Sequence, residues 1–149
     1  MGPLSPVKLP RGSTAALDTV ALVYFLERHP IHHDTARRIL KRIEEGELAG
    51  VISSLVFAEL LVPVYRAGDN SKAGTVLRLL TSFPNLKLFD ITPRISAEAA
   101  RLRARYGLRT PDAIHAATAL AAGADLFVTN DRDLQKIGPE MAVWQFEGN

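Results

Sequence analysis

The chain has 149 residues, 47% of them hydrophobic and 23% charged, which suits one folded domain with a sizeable core. It holds no cysteine, which excludes disulfides and thiolate metal centres and sets the expectation of a cytoplasmic protein. The formal net charge is only +2 although the pI is about 9.2, a balance that permits a nucleic-acid partner without requiring one.

Residues 1–13 contain Pro3, Pro6, Pro10, Gly2 and Gly12 and no apolar run of signal-peptide length. They are expected to form a loose N-terminal tail ahead of a single domain over residues 14–149. The stretch "AALDTVALVYFLE" carries Asp18 and Glu27 and is too short to cross a membrane, so no membrane partner is expected.

"STAALD" at 13–18 predicts a first strand that stops at an acid. "TVALVYFLER" predicts a helix, closed by His29-Pro30 because proline forbids continuation. Asp34 is placed to N-cap a helix through "TARRILKRIEEGEL", where Ala36, Ile39, Leu40 and Ile43 recur at helical spacing. "GVISS" at 50–54 is a short strand, and "LVFAELLVPVYRAG" a helix interrupted or kinked near Pro63. Another helix is expected from Asn70 to Ser82, ahead of Pro84. "LKLFDIT" gives a third strand, and "PRISAEAARLRARYG" a helix with Pro93 at its first position and Gly107 at its end. "RTPDAIHAATAL" predicts a helix over 111–122, with Thr110 as N-cap and Gly123 as stop. "DLFVTN" is a fourth strand, "DRDLQKIG" a short helical turn and "AVWQF" a last strand. This alternation predicts an α/β sandwich with a mainly parallel central sheet.

Four of the 16 acidic residues stand out by context. Asp18 closes the first strand, Glu59 interrupts the apolar run "LVFAELLV", Asp112 opens an otherwise apolar helix, and Asp131 follows the fourth strand. Taken singly, Asp112 is an acid where a helix dipole favours negative charge, and Asp18 and Asp131 are strand-end turn acids. In a parallel sheet, however, the C-terminal ends of strands and the starts of the following helices share one edge. All four acids can gather there. Clustered carboxylates need protons or a hard cation, and oxygen-only ligands point to Mg²⁺ or Mn²⁺, which suits phosphodiester hydrolysis.

"LDT" at 17–19, "SSLVFAEL" at 53–60, "TPDAIHAATAL" at 110–120 and "FVTNDRDL" at 127–134 resemble, in order and spacing, the PIN-domain nucleases, and most closely the VapC-type toxins of VapBC toxin–antitoxin systems. The resemblance implies a three-layer α/β/α sandwich and an Mg²⁺- or Mn²⁺-dependent endoribonuclease. It implies an acidic quartet of Asp18, Glu59, Asp112 and Asp131 that is catalytic and holds the metal, the first and third acids most directly. It places Thr129 as the hydroxyl residue beside the fourth acid and leaves Asp133 as a competitor for the role of Asp131. An RNA substrate, a VapB-like antitoxin across the active site and a homodimer are further implications. One departure is Val20, where the family often has Asn or Ser.

"RLRARYGLR" supplies Arg101, Arg105 and Arg109 as candidates for RNA-backbone contacts leading to Asp112. The histidines of "RHPIHHD" fit no closed zinc pattern, and His115, one turn after Asp112, is expected as a partly buried, satisfied side chain. Two rival functions use the same acids: a non-catalytic RNA- or partner-binding module, and an Mg²⁺-dependent phosphatase.

Overall fold

Short strands buried on both faces need helices on both sides of the sheet. The computed structural model describes residues 4–146, so Met1 to Pro3 of the expected tail and residues 147–149 of the expected domain lie outside the described residues. Five strands, β1 (Thr14–Leu17), β2 (Ala49–Ser53), β3 (Leu86–Phe89), β4 (Leu126–Thr129) and β5 (Val143–Gln145), form one sheet in the order β3-β2-β1-β4-β5. Every pairing is parallel, with Ala16 level with Val51 on one side and Phe127 on the other.

Side chains alternate across the strands and divide the interior into two cores. Ala15, Leu17, Leu126 and Val128 pack with α1 (Thr19–Leu26), α2 (His33–Glu44), α3 (Leu55–Arg66) and α4 (Asn70–Thr81). Ala16, Val51 and the fully buried Phe127 pack with α5 (Pro93–Tyr106), α6 (Thr110–Ala121) and a short 3-10 helix over Arg132–Ile137. The result is the three-layer α/β/α sandwich expected from the sequence. Small side chains on α6, Ala113, Ala116, Ala117 and Ala119, are all buried and let that helix lie close to the sheet.

Local differences from the sequence expectation have local causes. Asp34 does not cap α2. The imidazole Nδ1 of His29 accepts the amides of Ile31 and His32 at 3.1 and 3.0 Å, so the chain is already helical at His33 and Asp34 pairs with Arg37. Thr110 is the first residue of α6 rather than its cap; the capping position is Arg109, whose carbonyl accepts from Ala113. β3 stops at Phe89 because Thr92 caps α5, accepting the Ile95 amide at 3.2 Å. Pro63 lies on the exposed side of α3, which continues through it. The carbonyl that loses its α-helical donor there is that of Glu59, four residues earlier.

Residues 5–13, which the sequence suggested as loose, lie against the body. Val7 and Leu9 pack on the first core, and Arg42 donates to the carbonyls of Pro6 and Val7 at 3.1 and 3.2 Å. Among the described residues, no helix is long and apolar enough to cross a membrane.

Candidate active site

Strand order reverses direction between β1 and β4, because the chain goes from β1 to β2 on one side and returns to β4 on the other. Beyond the C-terminal ends of those two strands such a sheet leaves a crevice. A cleft of about 500 Å³ lies there, bordered by Asp18, Glu59, Asp112 and Asp131 together with Thr19, Val20, Tyr24, Arg109, His115, Asn130 and Arg132.

Asp18 leaves β1 and caps α1. Its Oδ1 accepts the amides of Val20 and Ala21 at 3.1 and 3.3 Å, and its Oδ2 accepts the hydroxyl of Thr129. The side chain is buried, and that burial pushes its pKa up to about 6 despite the opposing hydrogen bonds from Thr129 and the helix amides. Thr129, at the end of β4, also accepts the amide of Asp131 at 3.0 Å.

Glu59 reaches the cleft from the second turn of α3. Its Oε1 accepts from Thr19 Oγ1 and from His115 Nε2, both at 2.6 Å. Burial pushes the carboxyl upward, but the hydrogen bonds from His115 and Thr19, with Arg109 nearby, outweigh it and hold Glu59 below the ordinary range.

Asp112 sits in the first turn of α6, within hydrogen-bonding reach of Asp131. Burial and then the neighbouring Asp131 raise its pKa, against the pull of Arg109. Arg109 lies 3.2 Å from Asp112 Oδ2 and 3.6 Å from Asp131 Oδ2. Asp131 caps the 3-10 helix, accepting the Asp133 amide at 2.9 Å.

Other expected residues lie elsewhere. Asp133 does not border the cleft and pairs with Lys136, although its charge still reaches Arg109. Arg101 is held by Glu98 and Glu140, while Arg105 lies over the Tyr106 ring; neither borders the cleft, and Arg109 alone of the three does. His115 is buried and is not fully satisfied: its Nδ1 has no hydrogen-bond partner among the described residues. Thr19, Arg132 and the pair Asn130–Tyr24, joined at 2.8 Å, also border the cleft, and no motif of the sequence marks them as site residues. Only the position of Thr19 next to Asp18, and of Asn130 and Arg132 on either side of Asp131, hinted at them.

Among the described residues, no group of three or more histidine, aspartate or glutamate side chains forms a ready-made metal centre. The expected quartet borders one cleft but does not converge as a set of ligands, because each acid is turned to a protein partner. The donor chemistry nevertheless fits a hard divalent cation. Two carboxyls, Asp112 and Asp131, stand against each other with Arg109 as their paired cation, and a third, Asp18, is buried at the cost of its ionised form. A cation relieves both conditions, and all four acids offer oxygen.

The chain belongs to the PIN domain family, whose model matches residues 15–139. Solved structures share its fold at low identity. A chain in the structure of VapBC2 from Rickettsia felis, bound to a DNA fragment from their promoter, is 23% identical with a TM-score of 0.71, over 90% of this chain and 99% of that one. VapC20 from Mycobacterium tuberculosis, described as a sarcin-ricin loop cleaving toxin, is 17% identical with a TM-score of 0.67, over 83% and 95%. A chain of FitAcB from Neisseria gonorrhoeae is 20% identical with a TM-score of 0.65, over 87% and 96%. No curated protein sequence matches the chain.

Proposed function

We propose that this protein is a metal-dependent endoribonuclease and the toxin of a toxin–antitoxin pair, working in the cytoplasm as a homodimer restrained by a VapB-like antitoxin. The observation that carries the reading is the placement of Asp18, Glu59, Asp112 and Asp131, from four separate elements, around one cleft at the switch point of the sheet. Membership of the PIN family supports nuclease chemistry. The sarcin-ricin loop named for VapC20 supports RNA as the substrate, and the VapBC complexes support an antitoxin partner.

Asp18, Asp112 and Asp131, with Glu59 beside them, would hold Mg²⁺ or Mn²⁺. When bound, such an ion lowers the pKa of water and offsets charge on phosphate oxygens. The protein's own groups do the rest. Thr129 and the α1 amides fix the Asp18 carboxylate, and the ionised Glu59 is the group able to take a proton from the attacking water. That water forms the new phosphorus–oxygen bond as the bond to the ester oxygen breaks; the leaving oxygen takes a proton from solvent water, and Glu59 returns the proton it accepted to solvent. Arg109 and Arg132 at the cleft rim position the RNA backbone.

Incubation of the antitoxin-free protein with structured and single-stranded RNAs, in Mn²⁺, Mg²⁺ or chelator, tests the proposal. Internal cleavage that needs the cation is the expected result. Turnover of small phosphate esters without RNA cleavage selects the phosphatase, and RNA binding without any cleavage selects the binding module.

A further inference from the structure

We propose that His115, together with Thr19, is a positioning residue for Glu59; this rests on the nuclease reading above. Glu59 is the acid that arrives from within a helix rather than from a strand end or a helix start, and about a third of its side chain is exposed. A side chain with three torsions in that setting has many conformations to lose when it is put to use. Two donors remove that freedom. Thr19 at the start of α1 and His115 in α6 both end on Oε1 at 2.6 Å, and their own polar atoms lie 3.2 Å apart. One carboxylate oxygen is thereby pinned between two helices, and Oε2 is the oxygen that neither of them holds.

The burial of His115 separates this role from a merely structural one. Its side chain is only 4% exposed, and apart from Asp112 one turn earlier the helix around it is built of Ala, Ile, Leu and Thr. Its Nδ1 is buried without a hydrogen-bond partner among the described residues, which costs stability. An apolar side chain would fill the same place without that cost. What the imidazole adds is a single donor aimed at Glu59.

The test compares the parent with His115→Leu, His115→Gln and Thr19→Val by thermal melting, direct Mn²⁺ titration followed by electron paramagnetic resonance, and RNA cleavage resolved into kcat and KM. His115→Leu is expected to melt at or above the parent temperature, yet to bind Mn²⁺ about 10–100-fold more weakly and to lose a similar factor in kcat with little change in KM. His115→Gln, which keeps a donor at the end of its side chain, recovers part of both losses. A folded His115→Leu with the parent's Mn²⁺ affinity and kcat overturns the positioning role while the nuclease stands. A parent that neither binds Mn²⁺ nor cleaves RNA overturns the nuclease reading, and this proposal with it. If His115→Leu does not fold, Thr19→Val removes the other donor on the same oxygen; parent-like Mn²⁺ binding and kcat in that variant overturn the proposal equally.

Discussion

The hydroxyl of Thr129 donates to the carboxylate of Asp18 across the seam between β1 and β4, and the same oxygen accepts the amide of Asp131 at 3.0 Å. One fully buried side chain thus ties the first acid of the cleft to the fourth. Thr129→Val keeps the shape and removes both bonds. It should destabilise the fold by about 1–3 kcal/mol, because a buried carboxyl and an amide lose their partner. Urea denaturation checks this, and a parent-like midpoint contradicts it.

Asp18 also sets a pH dependence. Its pKa rises from 3.8 to about 6 on folding, so between those values the folded state holds a proton that the unfolded chain releases. For an acid shifted upward, stability is complete below the unfolded value and falls as pH rises through the folded one. In chelator, the parent should therefore lose up to about 3 kcal/mol between pH 4 and 7 through this group. Asp18→Asn removes that contribution, so its stability should fall less over the same interval. Superimposable pH slopes for the two proteins contradict the assignment. At pH 7, Mg²⁺ should raise the melting temperature of the parent more than that of the variant.

Arg109 is paired with Asp112 and Asp131, but its side chain is 73% exposed. Arg109→Gln should leave the urea midpoint of unfolding almost unchanged, since exposed ion pairs contribute little. Its effect belongs in RNA binding: KM should rise, and the dependence of log affinity on log salt should become shallower by about 0.7 for a single-stranded substrate. Cleavage measured over a salt series reads both, and an unchanged slope removes Arg109 from the RNA path.

Arg42 holds the N-terminal segment through the carbonyls of Pro6 and Val7 and bonds Glu47 at 3.0 Å. Arg42→Leu should release that segment. Limited trypsin digestion should then cut after Lys8 and Arg11 several-fold faster than in the parent. Equal rates would show that packing of Val7 and Leu9 is enough to hold it.

The parts of the fold that were legible in the sequence rest on local signals. Apolar runs, prolines and the glycine at 107, which adopts a left-handed φ of 70° at the end of α5, mark where elements begin and stop. The four acids stand out because each opens, interrupts or closely follows such a run. Contacts between side chains far apart in sequence left no comparable trace. His115 meets Glu59 56 positions away and Thr19 96 positions away, and nothing local separates it from an ordinary buried histidine. Arg101 and Arg105 were indistinguishable from Arg109 as charges. Only the packing of α5 shows that Glu98 and Glu140 claim Arg101, while Arg109 stands at the start of α6 beside Asp112. The choice between Asp131 and Asp133 likewise depends on the 3-10 helix, which Asp131 caps at the cleft and within which Asp133 pairs with Lys136.

Whether the acids of this cleft cleave RNA with a divalent cation is tested most directly by cleavage with the parent beside Asp112→Asn. Both are assayed with Mn²⁺ and with chelator, after circular dichroism has shown that the variant is folded. Cation-dependent cleavage by the parent, reduced at least about 100-fold in the variant, is the predicted result. Equal cleavage by the folded variant, or none by a folded parent in any cation, would contradict it.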